Sequence, residues 1–265
     1  MSQKPPPKQF FKTSINGTKY VVLVSSAKGG VGKSTLAVNL AFALQNLGLK
    51  IGILDADVYG PSLPKLLNLN EKPKSTDGKA MMPLEKYNAQ CMSMGFLVDE
   101  QTPMIWRGPM VISAIKTLTQ KVLWKDRDII IVDMPPGTGD TQLTFAQEVK
   151  VDGAIIVSTP QDIALLDVKR GIQMFDKTGV KILGLIDNMS FFKGDDGKKY
   201  RIFGESGVKN TAKEFNKDFL GHLPIHQDLR SSADKGDPLT HSDPEHEVSK
   251  QFLDIAKKIK LSLSL

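Results

Sequence analysis

The run "AKGGVGKST" at 27–35 sets three glycines and two lysines between an aliphatic stretch and a helix-forming one, a composition suited to holding phosphate. Gly29, Gly30 and Gly32 let backbone N–H groups approach an anion closely, and Val31 and Thr35 complete the nucleotide-binding segment. Lys33 can reach the β- and γ-phosphates of a nucleotide, and Ser34 can offer its hydroxyl to Mg²⁺. The usual loop, G-x-x-x-x-G-K-[ST], begins on glycine, whereas here Ala27 holds that place and a second lysine, Lys28, follows it.

Carboxylates fall where such a loop needs them. "IIIVDMPPGTGD" carries four apolar residues into Asp133, placing a carboxylate at a strand end where it can hold Mg²⁺, and Gly137 follows with a backbone amide that could sense a γ-phosphate. "ILDADVYGP" supplies Asp55 and Asp57, which share one face of an extended strand, so either could orient an attacking water. Turn or capping duty is the plainer alternative for each. Phosphoryl transfer to water needs in-line positioning and charge neutralisation, and one aspartate, Mg²⁺ and two lysines suffice for that.

Alternating elements must position these residues. Aliphatic runs at 20–25, 50–57, 128–134, 153–159, 181–189 and 219–224 read as strands, and helical patterns fall at 33–47, 109–123, 141–149, 164–178, 207–215 and 244–259. The alternation predicts an α/β fold with a doubly wound, mostly parallel sheet and ligands at the carboxyl ends of its strands. A single ATPase domain over 19–265, preceded by a flexible arm at 1–18, is the expected organisation. Residues 70–104 interrupt the rhythm as an excursion over one sheet edge, with a possible strand at 89–97, and 191–204 reads as an exposed hairpin-like loop.

Bulk properties exclude more than they assign. The net charge of +6 on 265 residues is spread along the chain, so nucleic acid is not an expected partner. No apolar run approaches a membrane span, the longest being short segments such as "IIIV" at 129–132, and no stable membrane anchor is expected. Cys91 is the only cysteine, which rules out an intrachain disulfide framework and suits a reducing compartment: cytoplasm first, the mitochondrial matrix second. Cys91 lies in the alternating "AQCMSMGFL" and reads as a packing residue, as do Met92 and Met94. His222, His226, His241 and His246 share no helical face and read as surface or loop residues.

Together "KGGVGKST", "DADVYGPS", "WRGPM", "VDMPPGTGD", "NMS" and "IFG" resemble the deviant P-loop ATPases of the Mrp/ApbC group, iron-sulfur cluster carrier and assembly proteins, over about residues 18–240. The P-loop alone would equally suit the related MinD and ParA proteins. The resemblance implies ATP and Mg²⁺ as cofactors, a homodimer completed by Lys28 reaching the partner's nucleotide, and clients or assembly partners among iron-sulfur apoproteins. It makes Asp57 the water-positioning residue, Asp133 the metal carboxylate and Asn188 the reader of the adenine edge, with the segment after Pro224 beside the base. In one respect the chain departs from this pattern. Members that bind a cluster carry a C-x-x-C pair after "NMS", and here Lys193, Gly194, Asp195 and Asp196 stand in its place. Aspartates are hard donors poorly matched to iron-sulfur clusters, so the cysteine content does not support a cluster at this loop.

Three functions remain as alternatives. The first is a dimeric ATPase of iron-sulfur maturation, and the second a positioning ATPase that binds membrane or DNA reversibly. The stripe Val248, Phe252, Ile255 and Ile259 could serve membrane contact, although it equally suits a helix docked on the sheet. A biosynthetic phosphotransferase would want a separate substrate constellation, and Arg107 of "WRGPM" is the only candidate for one.

Overall fold

The computed structural model describes residues 12–76, 78–97 and 108–265. Its chain order begins β1 (Thr18–Ser25), α1 (Lys33–Gln45), β2 (Ile51–Asp55), α2 (Leu63–Leu66), β3 (Ser75–Thr76), β4 (Ala80–Met81), β5 (Leu84–Lys86) and β6 (Ala89–Ser93). It continues through α3 (Gly108–Gln120), β7 (Arg127–Asp133), α4 (Asp140–Glu148), β8 (Gly153–Ser158), α5 (Asp162–Thr178), β9 (Ile182–Asp187), β10 (Phe192–Lys193) and β11 (Lys199–Tyr200). The last elements are α6 (Gly207–Glu214), β12 (Phe219–His222), α7 (Gln227–Lys235), α8 (Leu239–Ser242) and α9 (Glu247–Ser262).

Eight strands form one sheet in the order β12-β9-β8-β1-β7-β2-β6-β5, parallel throughout except for the β5–β6 pair. Every residue of β2, β8 and β9 is buried, which explains their unbroken aliphatic sequences: helices cover both faces, so no position is left for a polar alternation. The loop after β1 opens where the chain order reverses, since β1 lies between β7 and β8. Ligand crevices form at such a point, outside the carboxyl ends of the strands.

Some expectations are corrected. Residues 12–18 are not a loose arm: the Thr13 N–H donates to Glu148 at 2.7 Å, Lys150 N–H donates to Thr13 at 2.9 Å, Ile15 is buried and β1 starts at Thr18. Residues 1–11 lie outside the described residues. The excursion at 70–104 is not laid over the sheet edge but extends the sheet, because β6 pairs in parallel with β2 and carries β5 as an antiparallel edge. The strand at 89–97 stops at Ser93, whose hydroxyl accepts the Gly95 N–H and turns the chain into a short 3₁₀ helix. Arg107 falls outside the described residues. The stripe on α9 is docked, with Val248, Phe252, Ile255 and Ile259 all buried, and α9 packs on α1 and β12. Among the described residues no helix is long and apolar enough to cross a membrane.

Candidate nucleotide site

Gly32 caps α1 in the left-handed region at φ 78°, and a Cβ there would sit 2.5 Å from Asn188 Nδ2, so the position is closed to any side chain. Lys33 enters the first turn of α1. Its ammonium forms a buried ion pair with Asp133 and lies 3.2 Å from the Ser34 hydroxyl, which brings the loop lysine, the loop serine and the strand-end carboxylate to one point. Burial pushes the Asp133 carboxyl up, while Lys33 and the Ser34 hydroxyl hold it down. Without an anion present, Lys33 and Asp133 neutralise each other.

The two neighbouring aspartates divide the work. Asp55 is fully buried, and its carboxylate accepts the N–H groups of Asp57, Ser62 and Leu63 and the hydroxyl of Ser93 at 2.9–3.1 Å. It therefore ties down the loop 56–62 and the start of α2. Burial, reinforced by the charge of Asp133, pushes the Asp55 carboxyl up to about 7. Asp57 uses one oxygen, Oδ1, to accept Tyr59 and Gly60 N–H groups at 3.2 Å each. Its other oxygen has no hydrogen-bond partner among the described residues.

Gly137, at φ 95°, donates its N–H to the Ser26 carbonyl at 2.9 Å, so this amide ties the loop after β7 to the phosphate loop. Lys28 is exposed and makes no ion pair among the described residues. Asn188 is buried at the end of β9 and its amide donates to the Val31 carbonyl at 2.7 Å, fixing the side chain against the loop.

Beside Gly32 and Asn188 opens a cavity of about 670 Å³, whose walls include Thr35 of α1, Lys65 of α2, Phe203, Pro224 and Arg230 of α7. The segment after Pro224 was expected beside the base, but its folding into α7, which brings Arg230 and Asp234 to the cavity wall, was not legible. The signal was a cap at each end: His226 accepts the Asp228 N–H, and Gly236 closes the helix at φ 70°.

Cys91 is fully buried on β6 and burial raises its thiol, so it is a core residue without thiolate character. The 191–204 loop is a hairpin, β10 pairing with β11 and Asp196 accepting from Lys198 N–H and the Tyr200 hydroxyl at 3.0 and 2.8 Å. His222 pairs with Asp187 and His241 with Asp237, each at 3.1 Å; the loop expectation is corrected for both, since His222 ends β12 and His241 lies on α8. His226 and His246 correct the expectation that the histidines stay apart: their ring centroids are 4.9 Å from each other, because they cap two different helices, α7 and α9.

Comparison with known proteins decides the family. The model described as "ParA: NUBPL iron-transfer P-loop NTPase" matches residues 17–260. The chain belongs to this NUBPL iron-transfer P-loop NTPase family. The iron-sulfur cluster transfer protein NUBPL of Dictyostelium discoideum is 49% identical over 97% of this chain and 80% of its own length. The iron-sulfur cluster carrier protein of Escherichia coli K12 is 47% identical over 94% of this chain and 68% of its own length. Among solved structures, a nucleotide-binding protein of Archaeoglobus fulgidus in complex with ADP is 34% identical and superposes with a TM-score of 0.73, covering 83% of this chain and 87% of that one. The expected α/β fold and the Mrp-type resemblance are thereby borne out.

Proposed function

We propose that this family member binds and hydrolyses ATP as a Mg²⁺-dependent homodimer, and serves the maturation of iron-sulfur proteins as an assembly factor. The observation that carries the reading is the buried meeting of Lys33, Ser34 and Asp133 beside the 670 Å³ cavity. The oxygen-only donors Ser34 and Asp133 fit Mg²⁺, a hard cation that takes one or two protein oxygens and completes its shell with phosphate and water. When bound, Mg²⁺ neutralises charge on the β- and γ-phosphate oxygens.

The chain's own residues supply the rest. Backbone N–H groups of 29–35 wrap the polyphosphate, and Lys33 exchanges its ion pair with Asp133 for the phosphate oxygens. Asp57, with one oxygen unpartnered among the described residues, orients the attacking water in line with the γ-phosphorus. Lys28 crosses to the nucleotide of the partner subunit, and Asn188 and the segment from Pro224 hold the base. A reducing compartment is retained, cytoplasm first and the mitochondrial matrix second, since a single buried cysteine suits both. A membrane-positioning role loses its support, since the apolar face of α9 is covered by α1 and β12.

A cluster as cargo does not fit this chain's own donors, because Cys91 is sealed in the core and the hairpin offers oxygen and ammonium groups. The thiolates for any cluster would come from a client or assembly partner. Turnover of ATP with Mg²⁺ tests the reading: Lys33→Ala should lose nucleotide binding, and Asp57→Ala should bind ATP but turn over about 100-fold slower, as expected for loss of a water-positioning group. Undiminished turnover in Asp57→Ala would remove that residue from the water's path. Anaerobic iron-sulfide reconstitution of the purified chain should give no stoichiometric cluster.

A further inference from the structure

Four side chains from two helix starts converge on the side of the molecule that carries the hairpin. His246 Nε2 lies 3.3 Å from Asp228 Oδ2, and the same oxygen is 3.7 Å from His226 Nδ1. His226 Nε2 faces Glu247 Oε1 at 3.6 Å. One ligand atom from each of His226, Asp228 and His246 falls within 4.8 Å of the others. We propose that His226, Asp228 and His246, with Glu247 as a fourth donor, bind an exchangeable divalent transition-metal ion of the Zn²⁺ or Fe²⁺ kind, at a site separate from the phosphate loop.

The donor set selects the metal. Imidazole with carboxylate suits Zn²⁺ and Fe²⁺, whereas Mg²⁺ and Ca²⁺ prefer oxygen alone and Cu⁺ prefers sulfur. Metal–ligand bonds of about 2 Å set tetrahedral donors roughly 3.3 Å apart, so the widest pair must contract by up to about 1.5 Å. The carboxylates have the freedom to do so, since the side chains of Asp228 and Glu247 are 59% and 54% exposed while the imidazoles are 24% and 18% exposed. Charge favours a dication as well. Glu247 Oε2 lies 3.4 Å from the Lys193 ammonium, and Asp228 pairs with no lysine or arginine among the described residues. Lys193 belongs to the hairpin, and Phe192 beside it bridges to Ile225, next to His226. A metal taking Glu247 would therefore compete with the hairpin's lysine, linking occupancy to the hairpin.

The rings also explain why such a site would exchange its metal. Both Nδ1 atoms accept backbone N–H groups, His226 from Asp228 at 3.2 Å and His246 from Val248 at 3.1 Å, capping α7 and α9. Whichever ring nitrogen takes the metal, Nδ1 stops accepting: it is either coordinated itself or carries the proton that Nε2 has given up. Each coordinated ring thus releases its helix cap, which opposes tight retention.

Zn²⁺ equilibrium dialysis of the tag-free chain tests this, without nucleotide and in Lys33→Ala as well, so that failure of the ATP reading leaves the result interpretable. One Zn²⁺ per chain is expected in both, with faster amide exchange at Asp228 and Val248 on binding. His226→Asn and His246→Asn retain a capping oxygen and remove the imidazole, so each should keep the fold by circular dichroism and weaken Zn²⁺ at least tenfold. No bound Zn²⁺, wild-type affinity in both variants, or unchanged exchange at the two amides would overturn the site.

Discussion

At the residue scale, two carboxylates on one strand end do different work, and only their environments tell them apart. The spacing of Asp55 and Asp57 was legible, but the shared strand face is corrected: β2 ends at Asp55, and Asp57 sits in the turn that follows, accepting from Tyr59 and Gly60. The four donors that converge on Asp55 were not, because they come from residues up to 93, which only folding brings near. Those donors make Asp55 a tie for the loop, while Asp57 keeps one oxygen without a hydrogen-bond partner among the described residues, which is the basis for proposing it as the water-positioning group. A pH dependence follows from the burial of Asp55. Its folded pKa, raised from 3.8 to about 7, means that the folded chain holds a proton the unfolded chain has released. The contribution of this group to stability is therefore fully present below about pH 4 and is lost as pH rises through about 7. Urea titrations of the nucleotide-free chain should give a lower midpoint at pH 7.5 than at pH 5, and Asp55→Asn, which cannot titrate, should flatten that slope.

At the element scale, the sequence is most informative where burial is continuous. The strands β1, β2, β7, β8 and β9 and the helices α1, α5 and α9 could be read because unbroken aliphatic runs and apolar stripes at helical spacing have few other uses. Helix α7 escaped notice because Ser232 is its only buried residue, so it has no stripe to read. The pairing of His226 with His246 also escaped, since they lie twenty residues apart in sequence and meet only through the placement of two helix starts. Docking of α9 makes a prediction that a membrane role would not share. Phe252 is 1% exposed, and Phe252→Ala should cost about 3–5 kcal/mol in chemical denaturation, the range for truncating a buried aromatic. The intact chain should stay in the supernatant with anionic liposomes, with or without ATP, and ATP-dependent pelleting would restore the membrane reading.

At the scale of the whole molecule, Lys28 is a loop cation that makes no ion pair among the described residues. It stands exposed at the mouth of the phosphate loop, while Lys33, five residues on, is buried against Asp133. On a chain that already carries +6, a second cation this close to the first gains most where an anion lies between the two, and a partner's triphosphate supplies that anion. If Lys28 acts across a two-fold axis, each site takes Asp57 from one chain and Lys28 from the other. Lys28→Ala and Asp57→Ala are then each strongly slowed alone, yet their mixed dimer regains one complete site, made of the Asp57 of the first variant and the Lys28 of the second. An equal mixture should recover about a quarter of wild-type turnover, because about half the dimers are mixed and one of their two sites is whole. A lysine serving its own chain's nucleotide gives no such rescue, since every site then lacks one of the two groups. Steady-state ATP hydrolysis of the two variants, separately and after mixing with ATP, distinguishes the cases: recovery establishes the shared site, and its absence returns Lys28 to its own loop.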